Sequence, residues 1–232
     1  METLDSYQEY AQKAVEDFAK KDAAERYMLV DAIGDFPVKR VLDVGCGAGQ
    51  QLLPFAEKTN ALCVGIDVAE EVSKVAGGVF NESSFGKRGV FLQSLGEELP
   101  FANESFEVVM CRVSIPYMDN RRAISEISRV LKPNGFFFLK THAPMFYFGM
   151  IKRRFMSFNP KQLAYPLICL TNGTLSLLTG KQPKGGIWKG KEVFQTRGFL
   201  KREFAKNNLK IIGELPDTNI QSDSFVIRKN LK

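Results

Sequence analysis

The feature that most constrains the fold is a short apolar run that ends in three alternating glycines. Residues 41–44, Val-Leu-Asp-Val, have the nearly continuous apolar character of a strand buried in a parallel sheet. Gly45, Gly47 and Gly49 follow, and a helical pattern begins at Gln51. Glycine tolerates a turn with positive φ, and its missing side chain lets a ligand approach the backbone. The run therefore predicts a strand, a ligand-binding turn and a helix, in that order.

A second apolar run lies downstream and ends in an acidic residue. Residues 61–67 read Ala-Leu-Cys-Val-Gly-Ile-Asp, and Asp67 stands 18 residues beyond Gly49. In a doubly wound sheet the second strand lies beside the first, so Asp67 is expected at the same crevice as the glycine turn. A carboxylate in that position can accept hydrogen bonds from ribose hydroxyl groups. The two runs together predict a site for a ligand that contains a ribose.

Two later stretches complete a set of four ordered motifs. Residues 96–101, Gly-Glu-Glu-Leu-Pro-Phe, precede a strand pattern that starts near Ser105, and residues 129–135 read Arg-Val-Leu-Lys-Pro-Asn-Gly. The four motifs, spread over residues 38–142, resemble those of class I S-adenosylmethionine-dependent methyltransferases, most closely the small-molecule, type 11-like branch. The resemblance implies an α/β fold with a doubly wound, Rossmann-like sheet of seven strands, mostly parallel with the last strand antiparallel. It also implies S-adenosyl-L-methionine as the cofactor.

The resemblance further implies where each part of the cofactor would lie. Asp67 would hold its ribose, and Asp43 would meet the ammonium of its methionyl group, directly or through water. Cys111 and Arg112, at the end of the fourth strand, are expected near the methionyl end. The family often carries an acid just after the third strand, but Leu95 stands there, which leaves adenine recognition to backbone groups. The residues expected to bind the cofactor are Asp43, Gly45, Gly47, Gly49, Asp67, Val68, Leu95, Gly96, Cys111 and Arg112.

Two residues are candidates for the chemical step. His142, the single histidine of the chain, follows the fifth strand pattern and so falls on the edge of the sheet where ligands bind. Its imidazole can take a proton from a hydroxyl group near neutral pH; the alternative is a histidine that only caps a strand or bonds a carbonyl group. Tyr117 is the weaker candidate, for positioning. It ends residues 114–117, Ser-Ile-Pro-Tyr, which only partly match the Asn/Asp-Pro-Pro-Tyr signature of amino-group methyltransferases.

The positive charge is concentrated in one segment. Residues 142–191 contain eight Lys and Arg and no Asp or Glu, whereas the whole chain has a net charge of +6. Aromatic and aliphatic residues accompany the charge, and in the family this segment commonly forms a lid over the substrate. Three interpretations stay open: an element that docks on anionic lipid, a pocket for an amphipathic anionic substrate, and a solvated basic lid. The apolar residues 163–178 are interrupted by Pro166 and by Asn172 with Gly173, so we do not expect them to span a bilayer.

The chain is expected to form one domain. No repeat or low-complexity tract divides residues 1–232, within which we expect an N-terminal helical lid at 1–37 and a basic, aromatic insert at 142–205. Tyr7 and Tyr10 would either cover the methionyl end of the cofactor or pack on the core. The four cysteines are scattered without a Cys-x-x-Cys pair, which predicts reduced thiols and no metal site. The first residues do not have the apolar core region of a signal sequence, and together these features predict a cytoplasmic protein.

The leading functional expectation is a methyltransferase that acts at a hydroxyl group of a small or lipid-like acceptor, which the basic segment would suit if the acceptor is anionic. One alternative is a non-catalytic module of the same fold that docks on a membrane surface, through residues 143–191, or on a partner. A nucleic-acid methyltransferase is the second alternative. The basic segment permits it, but residues 114–117 lack the Asn or Asp and the first proline that base methylation would call for, so a nucleic-acid partner is not expected.

Overall fold

The computed structural model describes residues 4–156, 160–183 and 185–231. Within them, seven strands form a single sheet in the order β3-β2-β1-β4-β5-β7-β6. The first five strands pair in parallel, and β7 runs antiparallel to both β5 and β6. The predicted fold class is therefore confirmed. The strands are β1 Arg40–Val44, β2 Leu62–Asp67, β3 Gly89–Gln93, β4 Phe106–Arg112, β5 Leu131–His142, β6 Leu209–Glu214 and β7 Ser222–Lys229.

Helices cover both faces of the sheet. Several of them start at a side-chain cap: the Asp22 carboxylate accepts a hydrogen bond from the Glu25 amide at 2.8 Å, and the Thr196 hydroxyl accepts one from the Phe199 amide. The α-helices are α1 Leu4–Ala19, α2 Ala23–Asp31, α3 Leu53–Lys58, α4 Val72–Glu82, α5 Asn120–Val130, α6 Pro144–Met156, α7 Ala164–Thr179 and α8 Arg197–Lys206. The side chains of Tyr7 and Tyr10 lie outside the described part of the chain.

Two apolar layers hold the helices to the sheet. Successive strand residues point to opposite faces, so Leu42 and Val44 pack toward α5 and α8, while Val41 packs toward α2, α3 and α4. The strand order reverses between β1 and β4, because the chain first builds outward to β3 and then returns to the other side of β1. In doubly wound sheets a ligand crevice opens at this point, beyond the carboxyl ends of the strands.

The apolar residues 163–178 are not interrupted as the sequence suggested, since α7 runs unbroken from Ala164 to Thr179. Pro166 falls in the first turn, where backbone N–H groups have no partner within the helix and a missing one costs little. Gly173 lies against the ring of Phe194, which occupies the space that a side chain at residue 173 would need. Among the described residues no helix is both long enough and apolar enough to cross a membrane.

Candidate active site

A cleft of about 670 Å³ lies at the carboxyl ends of β1, β2 and β4. This volume is in the range of small-molecule sites in proteins. Besides the residues predicted from the sequence, its wall includes Lys21, Gln50, Val113 and Lys140. The predicted residues that line it are Asp43, Gly45, Gly47, Asp67, Val68, Leu95, Gly96, Arg112 and Tyr117.

The glycine turn forms the floor of the cleft. Gly45 and Gly47 have φ values of +77° and +52°, in the left-handed region that favours glycine. A Cβ atom on Gly45 would overlap the side chain of Ser114, whose hydroxyl donates a hydrogen bond to the Gly45 carbonyl at 3.0 Å. The turn therefore needs glycine for its backbone conformation and for its close contact with the loop that follows β4.

The carboxylate of Asp67 ties the end of β2 to the glycine turn. Its Oδ2 accepts a hydrogen bond from the Gly47 amide at 3.0 Å, and its Oδ1 accepts one from the Ala69 amide at 3.1 Å. A carboxylate has room for about four hydrogen bonds in all, so both oxygen atoms can still accept from a ligand. Asp67 lines the cleft, as the sequence predicted, and its orientation is fixed before any ligand arrives.

Asp43 and Gln50 provide acceptors at the other end of the glycine turn. Asp43 is 2% exposed, and burial raises the pKa of its carboxyl group to about 7, with Arg112 opposing the shift and Asp67 adding to it. Gln50 Oε1 is buried at the cleft and makes no hydrogen bond to any described residue. A buried acceptor without a donor carries a free-energy cost that a ligand cation would remove. The two groups suit an ammonium ion.

Arg112 is held on the cleft wall by an acid from the β6–β7 connection. Its guanidinium donates to Asp217, which also accepts from Lys140 Nζ at 2.8 Å. Burial alone would raise the pKa of Asp217, but Arg112 and Lys140 outweigh it and lower that pKa to about 2. The neighbouring Val113 has a φ of +69°, a strained conformation for a β-branched residue, and it lies in the same wall.

Gly49 and Cys111 were predicted to bind the cofactor, but the structure places both behind the cleft wall. Gly49, with φ at +75°, faces the ring of Phe91 and the side chain of Ala76. Glycine is therefore needed at this position for packing of the core. Cys111 is fully buried in the apolar layer beneath α5, because side chains alternate along β4 and it is Arg112 that points to the cleft. Burial also raises the pKa of the Cys111 thiol, which disfavours the thiolate.

A second polar cluster lies beside the cleft and is centred on Glu192. This carboxylate is 2% exposed and immediately follows the acid-free segment. His142 Nδ1 lies 2.7 Å from its Oε2 atom. Hydroxyl groups that donate to the same carboxylate belong to Tyr117 at 3.0 Å, Tyr147 at 2.8 Å and Tyr165 at 2.6 Å. The cluster joins β5, the loop after β4, α6 and α7 to one residue.

These hydrogen bonds keep Glu192 ionised. Burial by itself raises the pKa of Glu192, but the bonds from His142, Tyr165 and Tyr147 outweigh it and lower the pKa to about 2. The pKa values of the three tyrosine hydroxyl groups are raised, because burial and the charge of Glu192 both disfavour the phenolate form. The pKa of Tyr117 rises to about 12 for these reasons.

The cluster brings together the two predicted catalytic residues. Tyr117 lines the cleft and its hydroxyl reaches Glu192, whereas His142 lies behind it, stacked on Phe146 with ring centroids 3.7 Å apart. His142 is 9% exposed and is not part of the cleft wall. It follows that Glu192 connects the candidate base to the cleft through Tyr117.

Comparison with known proteins agrees with this geometry. Residues 42–139 match a family model described as a methyltransferase domain. Over 105 residues, 44% of the chain, the sequence is 39% identical to the uncharacterized methyltransferase YcgJ of Bacillus subtilis. It is 33% identical over 98 residues, 42% of the chain, to the O-methyltransferase rstn1 of Aspergillus nomiae. The matches cover 40% and 44% of those two proteins, so the chain spans less than half the length of the relatives it matches.

One solved structure with a similar fold is the geranyl diphosphate C-methyltransferase of Streptomyces coelicolor, crystallised with Mg²⁺, geranyl diphosphate and S-adenosyl-L-homocysteine. The TM-score is 0.62 over 96% of this chain and 82% of that one, at 14% sequence identity. At this identity the likeness concerns the fold alone. Residues 42–139 are similar to a class I S-adenosylmethionine-dependent methyltransferase domain.

The residues of the cleft fit S-adenosyl-L-methionine, the cofactor of that family. The glycine turn leaves room for it, Asp67 would present a fixed carboxylate to its ribose, and Asp43 with Gln50 would accept from the methionyl ammonium. Leu95 lines the cleft with 52% of its surface exposed, as a residue beside an adenine would. A cationic ligand would satisfy the Gln50 oxygen in particular.

Sequence reasoning missed part of this site. Gln50 and Val113 gave no signal, because neither residue type is typical of a binding motif. Glu192 did give one, since it is the first acid after the acid-free residues 142–191. An isolated acid at the end of so long a basic segment suggests a specific partner, and the structure supplies His142 and three tyrosine hydroxyl groups.

Proposed function

We propose that the protein is an S-adenosylmethionine-dependent methyltransferase that acts at a hydroxyl group of a small or lipid-like acceptor. The observation that carries the proposal is the pairing of His142 with the ionised, buried Glu192 next to the cleft. A histidine whose Nδ1 faces a carboxylate carries its proton on Nδ1 when neutral, which leaves Nε2 as a proton acceptor. Such a pair suits a general base for an oxygen nucleophile.

Residues at one end of the cleft bind the cofactor, and residues at the other end position the acceptor. S-adenosyl-L-methionine supplies an electrophilic methyl group on a positively charged sulfur atom. Asp43, Gly45 and Asp67 hold the cofactor end in place, and much of the rate enhancement comes from this positioning. Tyr117 would orient the acceptor hydroxyl, and His142, which lies behind the cleft wall, would take the hydroxyl proton at Nε2 through one intervening water molecule. Glu192 keeps the imidazole in the required tautomer.

The character of the acceptor follows from the cap, by which we mean residues 143–195. The cap carries the basic segment and is rich in aromatic side chains, which suits an amphipathic and anionic acceptor. The named relatives agree in kind, since one is an O-methyltransferase and a protein of similar fold was crystallised with geranyl diphosphate. We propose in addition that residues 143–191 contact the membrane surface where a lipid-like acceptor would reside.

The proposal is tested by turnover of His142 variants on a panel of phenolic, polyketide and lipid hydroxyl acceptors, with formation of S-adenosyl-L-homocysteine as the readout. His142→Ala should lower kcat at least 100-fold, in line with the usual contribution of a general base. Its affinity for S-adenosyl-L-homocysteine should stay within about threefold, because His142 does not line the cleft.

Undiminished turnover by His142→Ala would remove the base assignment. Cofactor binding without turnover on any acceptor would favour the non-catalytic module instead. A steep dependence on salt concentration with RNA or DNA would favour the nucleic-acid alternative.

A further inference from the structure

Helix α6 exposes an apolar stripe on its outer face. Met145, Phe148, Phe155 and Met156 are 45%, 52%, 70% and 69% exposed. They occupy positions i, i+3, i+10 and i+11, with the exposed Lys152 at i+7, so they share one side of the helix. A set of large apolar side chains in one stripe differs from the single exposed residues that any protein surface carries.

The stripe is not a displaced part of the core, since α6 has another face that packs. Tyr147, on that other face, is fully buried and forms an apolar cluster with Cys169 of α7 and with Phe194. Its hydroxyl group is bonded to Glu192. The orientation of α6 is therefore fixed from the inside, and the outer stripe is presented to the surroundings.

Helix α7 repeats the pattern. Leu167, Leu175 and Leu178 are 51%, 39% and 79% exposed and occupy positions i, i+8 and i+11. The residues between them on that face, Thr171 and Thr174, turn their hydroxyl groups back to carbonyl oxygens of the preceding turn at 3.0 Å or less. The threonine methyl groups are thereby left as the outer surface. Two packed helices thus each carry an exposed apolar face.

The segment that carries these faces has charges of one sign only. Lys152 and Arg153 on α6 are exposed, as are Lys181 and Lys189 after α7. No acidic residue occurs anywhere in residues 142–191, which carry eight positive charges. Exposed basic residues are attracted to an anionic bilayer, and apolar side chains that enter the headgroup region strengthen the binding.

We propose that the outer faces of α6 and α7 bind the surface of a membrane that contains anionic lipids. The stripe enters the interface, and the basic side chains contact lipid phosphate and carboxylate groups. Because the Glu192 cluster connects both helices to Tyr117 at the cleft wall, a docked cap holds the cleft close to the lipid surface. The inference deepens the proposed function and rests on it for the acceptor, whereas docking itself needs no methyl transfer.

The test is co-sedimentation of the whole protein with vesicles of phosphatidylcholine, with and without phosphatidylserine. We expect binding only when phosphatidylserine is present, weakened by salt because exposed charges are screened. Phe148→Ser with Phe155→Ser should lower vesicle affinity at least tenfold, since two large apolar groups no longer enter the interface. Lys152→Glu with Arg153→Glu should do the same by reversing charge.

The matched control is Ile212→Ser with Ile220→Ser, at residues that are 53% and 72% exposed but belong to β6 and the β6–β7 connection. It should bind vesicles like the wild type. Each variant is also titrated with S-adenosyl-L-homocysteine, so that failure of docking and failure of the cofactor site are seen separately. Equal binding to neutral vesicles, no vesicle binding at all, or an equal loss in the control would overturn the proposal. The proposal would also be overturned if both cap variants kept the vesicle affinity of the wild type.

Discussion

The cofactor cleft and the cap are two halves of one candidate site, and they are encoded in different ways. The cleft is made of backbone turns at the ends of buried strands, with Asp43 and Asp67 placed by strand order. The cap is held by side chains that converge from distant positions, such as Tyr117 and His142 on Glu192. A short local sequence motif specifies the cleft, whereas packing between distant parts of the chain specifies the cap.

The two halves also differ in their electrostatics. Burial leaves Asp43 in the cleft with a pKa of about 7, so that it changes charge near physiological pH. In the cap, hydrogen bonds lower the pKa of Glu192 to about 2, so that it stays ionised. The cleft is thus prepared to respond to a cationic ligand, whereas the cap is a fixed scaffold. This contrast predicts that substitutions in one half leave the other half's property intact.

The largest effect is expected from Asp67→Ala, which should weaken binding of S-adenosyl-L-homocysteine about 100-fold by calorimetry. The change removes hydrogen bonds between a charged group and the ribose, each of which contributes about 1.5–3 kcal/mol. It also removes the acceptor for the Gly47 and Ala69 amides. Asp67→Asn, which keeps one acceptor oxygen, should lose less. An unchanged affinity in Asp67→Ala would remove the ribose assignment.

Glu192→Gln should destabilise the cap by about 3 kcal/mol, because breaking a buried charged cluster leaves its other members unsatisfied. Hydrogen exchange of residues 144–156 and 164–179 measures the loss. The carboxylate contributes this stability above about pH 4.5 and loses it as the pH falls through about 2, since folding lowers its pKa. Cofactor affinity should stay within about threefold.

The matched control for the cap is Glu214→Gln. That carboxylate is 42% exposed and pairs with Arg197, so its loss should cost less than about 1 kcal/mol. If Glu192→Gln weakened cofactor binding as strongly as Asp67→Ala, the separation of the two halves would be wrong. If it left hydrogen exchange of the cap unchanged, the carboxylate would not be the residue that holds the helices.

The smallest effect is a pH dependence in the cleft. Cofactor affinity should rise about tenfold from pH 6 to pH 8, because a carboxyl group with a pKa of about 7 becomes ionised over this range and can pair with an ammonium. Without ligand the raised pKa has the opposite consequence: stability contributed by the protonated group is lost as the pH rises through about 7. Calorimetry at each pH should show a flat profile for Asp43→Asn, and a profile as steep as that of the wild type would contradict the assignment.

The same contrast explains what could be predicted from the sequence. Buried parallel strands are continuous apolar runs, so their order along the chain and the placement of Asp67 followed from pattern alone. The direction of a side chain at the end of a strand could not be predicted from that pattern. For this reason Cys111 was expected in the cleft, whereas it lies in the core. The local pattern also did not reveal that α7 runs unbroken through Gly173, which lies against the ring of Phe194. The hydrogen-bond partners of Glu192 lie up to 75 residues away along the chain, so the local sequence does not identify them.

The proposed membrane-binding surface was only partly predictable from the sequence. The basic segment and its aromatic residues were evident in the sequence, but only the helices show that Met145, Phe148 and Phe155 share an exposed face. Composition therefore left lipid docking as one of three interpretations, and geometry is needed to select the residues to change.

The most direct test of the account is a calorimetric titration of the wild type, Asp67→Ala and Glu192→Gln with S-adenosyl-L-homocysteine. We expect micromolar binding by the wild type, similar binding by Glu192→Gln and a strong loss of binding in Asp67→Ala. Absence of binding by the correctly folded wild type would contradict the assignment of the cleft, and with it the proposed methyl transfer.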